Sequence, residues 1–421
     1  MDLSKKNVMV VDHGLFCEFA SVLARTFGKV WYCPFHTDSY PSQLHGGIGT
    51  GIDGLTVVQS PFDIPASKID LWCFTDVGFG SMQRHLVDTG ATVFGSRMGE
   101  ELELERGAVK DMMKNMGLPV NPWRRIVGIA NLRAWLKENE RQHVKTEHWR
   151  GDCESFFSEN YRTSETRVDE LEHKLGAFKY IAEFIVEDDL PDCVEAGTDC
   201  ITVDGQFPEE TFCGIEIKDA AFAGAMMDWK KIPEPVTRIN TALAPILKRY
   251  QYRGPMSTEV RIDKKKNPYC IDLTCRLPSP PNEIYQELYV NLAEKVWEAA
   301  HGNMTPTKTL AKFGCQVMMR SKGAWADKNW VPFDIKPKHR KNVKLLYPAK
   351  IDGRFYCIPQ GEESDIVGSV IGWGDTLEAA RKMVKEVADD ISAISIKIPV
   401  DVLDEAEGEL KKSEDMGMNL V

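Results

Sequence analysis

The sequence predicts a chain of mixed class, an α/β unit built on a doubly wound parallel sheet followed by α+β units. Two observations carry this. Strand and helix signals alternate over residues 7 to about 95, the pattern of a parallel sheet. Later, Ser257-Thr-Glu-Val-Arg-Ile-Asp263 and Tyr269-Cys-Ile-Asp-Leu-Thr-Cys-Arg-Leu277 read as two strands joined by the polar turn Lys264-Lys-Lys-Asn-Pro268, an antiparallel hairpin. A chain of 421 residues is long enough for several subdomains with cores of their own.

Taken in order, Val8-Met-Val-Val11 is apolar and β-branched, a buried strand, and Cys17 to Phe27 has helical spacing. Lys29–Cys33, Leu55–Val58, Asp70–Phe74 and Thr92–Phe94 continue as strands, with a helix at Met82–Asp88. The glycine-rich His45–Gly51 follows no strand and opens no helix, so it is a loop rather than a dinucleotide fingerprint. Glu100 to Met116 predicts one long charged helix, stopped by Gly117-Leu-Pro119. Strands at Pro122–Val127, Gln142–Lys145 and Tyr180–Val186, with helices at Asn131–Asn139 and Asp169–Leu175, make a β-α-β-α-β module. After the hairpin come a helix at Ile284–Ala300, strands at Cys315–Met319, Val343–Tyr347, Phe355–Ile358 and Val367–Ile371, and a helix at Leu377–Ile391. The acidic tail from Asp404 reads as frayed.

Composition excludes several classes. A net charge of −11 gives no basic footprint for non-specific nucleic-acid binding. No apolar run is long enough to span a membrane, and the N-terminus enters a strand without a signal-peptide pattern, so a cytoplasmic protein is expected. The eleven cysteines are scattered, with no C-x-x-C pair, and read as small buried hydrophobes in a reducing compartment.

Chemistry is carried by polar residues in strands that otherwise look buried. Period-2 alternation puts Glu259 and Arg261 on one face of the hairpin's first strand and Asp272, Thr274 and Arg276 on one face of its second. Paired carboxylates suit Mg²⁺, which takes one or two of them plus substrate phosphates; arginine matches phosphate oxygens bidentately. The plain alternative is a hairpin with one solvated face. Lys145 ends an apolar strand and could hold a polyphosphate as a point charge, or snorkel at an edge. Glu183, inside Ile181-Ala-Glu-Phe-Ile185, could read an adenine amine beside free backbone groups, or face solvent.

The order of these residues resembles the ATP-grasp superfamily, most closely its glycinamide ribonucleotide synthetase and related carboxylate–amine ligases, over roughly residues 92 to 300. The resemblance implies an ATP-grasp fold with an N-terminal doubly wound pre-ATP-grasp domain, a small lid subdomain and a C-terminal α+β domain. Its expected boundaries are 1–95, a linking helix 96–120, lid 121–190, catalytic core 191–305, C-terminal domain 306–402 and tail 403–421. Arg106, where the family commonly has lysine, and Lys110 would contact phosphates. Lys145 resembles the lid lysine, and Trp149-Arg-Gly-Asp152 stands where the mobile lid loop belongs. Glu183, Phe184 and Ile185 look like the adenine hinge, and Glu195 like the carboxylate on the ribose. Glu259, Asp272 and Thr274, the last where asparagine is usual, would hold Mg²⁺ or Mn²⁺. Arg261 and Arg276 are the catalytic candidates.

The implied chemistry is ATP-dependent activation of a carboxylate to an acyl phosphate, attacked by an amine or another nucleophile. Both substrates would be small molecules, and the resemblance admits a homodimer. Departures mark the acceptor side. The G-G-R-E-H motif is absent, with Asp12-His-Gly-Leu15 in its place. The D-H-K-R segment is only echoed by Glu216-Ile-Lys218-Asp219, and the lid loop lacks its glycine run. A small-molecule kinase and a catalytically degenerate nucleotide-binding module of the same fold therefore stay open.

Overall fold

The structure, a computed structural model, describes residues 1–34, 47–148, 155–322, 330–358, 365–393 and 395–421. The first sheet has strands β1 (Asn7–Asp12), β2 (Lys29–Pro34), β3 (Leu55–Val57), β4 (Leu71–Phe74) and β5 (Val93–Phe94), in the order β3-β2-β1-β4-β5 and parallel throughout. Helices α1 (Cys17–Leu23) and α2 (Gly80–Asp88) connect them. Val8 to Val11 are all fully buried, as expected of a strand covered on both faces. At the end of β5 this sheet is stitched to the rest of the chain. Gly95 N–H donates to the Arg253 carbonyl at 2.8 Å, and Arg253 N–H donates back at 3.2 Å. A Cβ on Gly254 would lie 2.9 Å from the backbone of Gly95, so only glycine permits this approach.

The long helix expected at 100–116 is broken. It forms α3 (Glu101–Leu104) and α4 (Arg106–Asn115), with Glu105 between them at φ −99°, ψ 60°. The break frees the Gly107 N–H to bind the buried Glu147 carboxylate at 3.0 Å, an anion at a helix N-terminus.

A four-stranded antiparallel sheet follows: β6 (Trp123–Val127), β7 (Gln142–Thr146), β8 (Ser155–Ser158) and β9 (Glu183–Asp188), ordered β6-β9-β7-β8. Its helices α5 (Ile129–Glu138) and α6 (Tyr161–Leu175) cover one face through Leu132, Leu136, Val168 and Leu171, packed on Val144, Phe184 and Val186. Tyr180 and Ile181, expected in the strand, are exposed, and β9 starts three residues later than predicted because a 3-10 turn occupies Gly176–Tyr180.

The largest sheet has eight strands. They are β10 (Val194–Val203), β11 (Glu210–Ile217), β12 (Ala221–Asp228), β13 (Arg253–Ile262), β14 (Pro268–Thr274), β15 (Phe313–Arg320), β17 (Val343–Leu345) and β20 (Ile366–Gly374). Their order is β14-β13-β10-β11-β12-β15-β20-β17. The remaining strands, β16 (Val331–Asp334), β18 (Pro348–Ile351), β19 (Arg354–Cys357) and β21 (Ser392–Ala393), form a small sheet. Helix α7 (Glu234–Arg249) covers β10, β13 and β14. The predicted helix 284–300 is two, α8 (Asn282–Leu288) and α9 (Leu292–Ala300), and α10 (Leu377–Asp390) packs on β15 and β20. The tail is not frayed: α11 (Val402–Asp415) buries Leu403, Ala406 and Leu410, and Met418 and Leu420 beyond it are buried too.

Candidate functional site

The site is the cleft between the four-stranded sheet and the eight-stranded sheet, a cavity of about 620 Å³. Its floor is the hairpin. Strands β13 and β14 pair with Ser257 opposite Thr274 and Glu259 opposite Asp272. A bulge after Glu259 then sets Cys270 opposite Val260, leaving Ile271 out of register. The Ile271 carbonyl accepts the Lys145 ammonium at 2.5 Å, so the bulge ties the floor to β7 above.

Glu195 on β10 and Glu216 on β11 line the same cavity as Glu259 and Asp272. Burial, then the charges of Asp272 and Glu195, push the Glu259 carboxyl up to about 8. Burial, then Glu259 and Glu195, push Glu216 well above the usual carboxylate range. Two buried carboxyls, Glu259 and Glu216, pushed up by burial and by neighbouring carboxylates, belong to a donor set fitted to a divalent cation. Glu259 and Asp272 would take it, and Glu216 lines the same cavity as a further carboxylate.

Lys145 is nearly buried in the roof. Burial opposes its charge, but Glu187 and Asp272 outweigh that and raise its pKa. Glu187 is the second roof residue. Burial alone would lift its carboxyl, yet Lys145 and Lys110, with hydrogen bonds from Lys110 and Asn121, hold it at about 2. The outer end of the cavity is lined by His143, Leu190, Cys193 and Arg261, and by Glu409 and Lys412 of α11. There Arg261 donates to Glu195 at 3.0 Å and to Asp189 at 3.2 Å, and Lys412 donates to the Cys193 carbonyl at 3.1 Å.

Glu259, Asp272, Lys145, Glu195 and Arg261 all line this one cavity, whereas other residues named from the sequence do not. Glu183 pairs with Arg125 at 3.3 Å away from the cavity; Phe184 is in the core under α5 and α6, and Ile185 is fully buried. Strand β9 is bonded on both sides, to β6 and β7, so residues 183–185 have no backbone edge to offer an adenine. The chain leaves that ladder only after Asp188, and Glu187, Asp188 and Leu190 line the cavity. Lys110 spends its donors on Glu187 at 2.7 Å, Asn121 at 3.0 Å and the Cys270 carbonyl at 3.2 Å, behind the cavity wall. Arg106 is buried beside Lys145, donating to the Thr146 carbonyl at 3.1 Å. Thr274 ends β14 outside the cavity lining. Arg276 has left the strand and faces the first sheet, 3.0 Å from Glu103 and 3.8 Å from Asp76. Trp149–Asp152, the expected lid loop, lies outside the described residues.

Glu187, Asn121, Leu190 and the α11 pair were not picked out by sequence reasoning. Glu216 stood in the segment Glu216-Ile-Lys218-Asp219 without a role, and its alternation with Ile215 and Ile217 was the available signal.

Two antiparallel sheets closing on a carboxylate-floored, lysine-roofed cleft, behind a parallel N-terminal sheet, define the ATP-grasp fold. A scan against protein-family models and a search of curated proteins both find no match. Solved structures do match over nearly the whole chain. Phosphoribosylamine–glycine ligase from Thermotoga maritima superposes with a TM-score of 0.65 at 14% identity, covering 93% of this chain and 98% of that one. The biotin carboxylase domain of Hydrogenobacter thermophilus 2-oxoglutarate carboxylase, solved with MgADP, ADP and bicarbonate, gives 0.65 at 13% identity, covering 98% of each. An N5-carboxyaminoimidazole ribonucleotide synthetase in its ADP complex gives 0.60 at 16% identity, covering 97% and 99%.

Proposed function

We propose that this chain is an ATP- and Mg²⁺-dependent ligase that joins a small carboxylate to an amine or another nucleophile. The observation that carries the reading is Glu259 directly opposite Asp272, with Lys145 reaching across to the same strand. The ligase and carboxylase neighbours, two of them with ADP bound, support it. Adenine would lie against Leu190 at the outer end, the ribose by Glu195 and Arg261, and the phosphates under Lys145. A cation at Glu259 and Asp272 would neutralise charge on the transferring phosphoryl group.

The substrate carboxylate oxygen would attack the γ-phosphorus, and the bond to ADP would break. The amine would then attack the acyl carbon, releasing phosphate and a proton. No side-chain nucleophile is needed; Lys145 would hold charge on the transferring phosphoryl group. A screen of carboxylates and amines for ADP release, with hydroxylamine as trap, tests this. A hydroxamate is expected. A stable phosphoester would instead make the protein a kinase, and absence of both ATP binding and ADP release would reject catalysis on this site.

A further inference from the structure

We propose a second metal site outside the cleft, formed by Glu105, Glu147 and His148 and suited to a transition-metal dication of the zinc or manganese type. One ligand atom from each residue lies within 4.8 Å of the other two. Glu147 is only 6% exposed, and while its Oε1 accepts the Gly107 N–H at 3.0 Å, its Oε2 is buried without a hydrogen-bond partner. A buried carboxylate oxygen left unpaired is costly and points to a missing ligand.

The surrounding backbone is built to bring the three together. Glu105 sits at the break between α3 and α4, and His148 adopts φ +59°, a left-handed conformation that side-chain-bearing residues seldom take. The His148 N–H bonds the Leu104 carbonyl at 3.3 Å, fixing the end of β7 to α3. The imidazole Nδ1 is already 3.3 Å from Glu105 Oε1. Two carboxylates with an imidazole are an N/O donor set that favours zinc or manganese over magnesium. Donors about 2.1 Å from a tetrahedral ion are about 3.4 Å apart, so the half-exposed Glu105 and His148 need only small rotations. Their exposure also leaves an entry path and room for water as the fourth ligand. Arg125, 3.9 Å from Glu147 Oε1, faces the oxygen that Gly107 already occupies.

This site does not depend on the nucleotide reading. Zinc titration by calorimetry on the full chain carrying Asp272→Asn, which disables the cleft, is expected to show one tight equivalent. Adding His148→Ala, at an exposed position, should weaken it by about tenfold or more. Cobalt substituted for zinc should give the visible absorption of a low-coordinate centre that disappears with His148→Ala, and Glu105→Gln should reproduce the loss. Zinc affinity unchanged by His148→Ala, or no zinc binding to the Asp272→Asn protein, would overturn the proposal.

Discussion

At Glu259, a carboxyl held at about 8 beside Asp272 and Glu195 couples cation binding to pH. The group keeps its proton at neutral pH unless a cation displaces it, so magnesium affinity should rise as pH climbs from 7 to 9, measurable by calorimetry. The sign for stability is opposite. Raised from an ordinary 4.5, this acid binds its proton more tightly folded than unfolded, so its contribution declines between about pH 5 and 8 in metal-free protein. Asp272→Asn should keep the fold, by circular dichroism, and lower ADP release by orders of magnitude. Lys145→Ala should weaken ATP binding; an unchanged affinity would remove the lysine from the phosphate site. Glu187→Gln, which strands the buried Lys110, should cost about 3 kcal/mol in urea unfolding, while Glu183→Gln on the surface should cost under about 1 kcal/mol. The floor carboxylates and Lys145 were legible because polar residues interrupted apolar alternation. The place of Glu187 in the cavity lining was not: Glu183 and Glu187 share one face of a strand, and only where the strand begins and ends separates them.

Among the elements, α11 shows how composition hides packing. Its sequence is acidic, and Leu403, Ala406 and Leu410 make a narrow stripe that reads as too little to hold a helix. The partner surface on β10, β11 and β12 supplies what the stripe lacks, and that surface is more than 170 residues away in sequence. Leu410→Ala should therefore destabilise the protein by about 2–3 kcal/mol in urea unfolding, a core cost rather than a tail's. The break at Glu105 was illegible for a related reason. At the break the Gly107 N–H meets the Glu147 carboxylate, presented from just beyond the end of β7, a partner that the local sequence does not reveal.

On the scale of the whole molecule, the parallel sheet was readable because every strand in it pairs with at least one neighbour in sequence, β1 with β2, β2 with β3 and β4 with β5. The eight-stranded sheet was not, since β12 pairs with β15 across the intervening α7, β13, β14, α8 and α9. That pairing runs the sheet without interruption through the boundary expected at residue 305. A fragment ending there would expose the edge of β12, so residues 1–305 should fail to fold soluble, and the full chain should melt β12 and β15 together by hydrogen exchange. The bridge from Gly95 to Arg253 has a mechanical consequence as well. It makes β13 a shared cable, anchored at one end to the N-terminal sheet and carrying Glu259 six residues along. A displacement of the N-terminal sheet would therefore be felt first, through main-chain hydrogen bonds, at the start of the strand that carries this carboxylate.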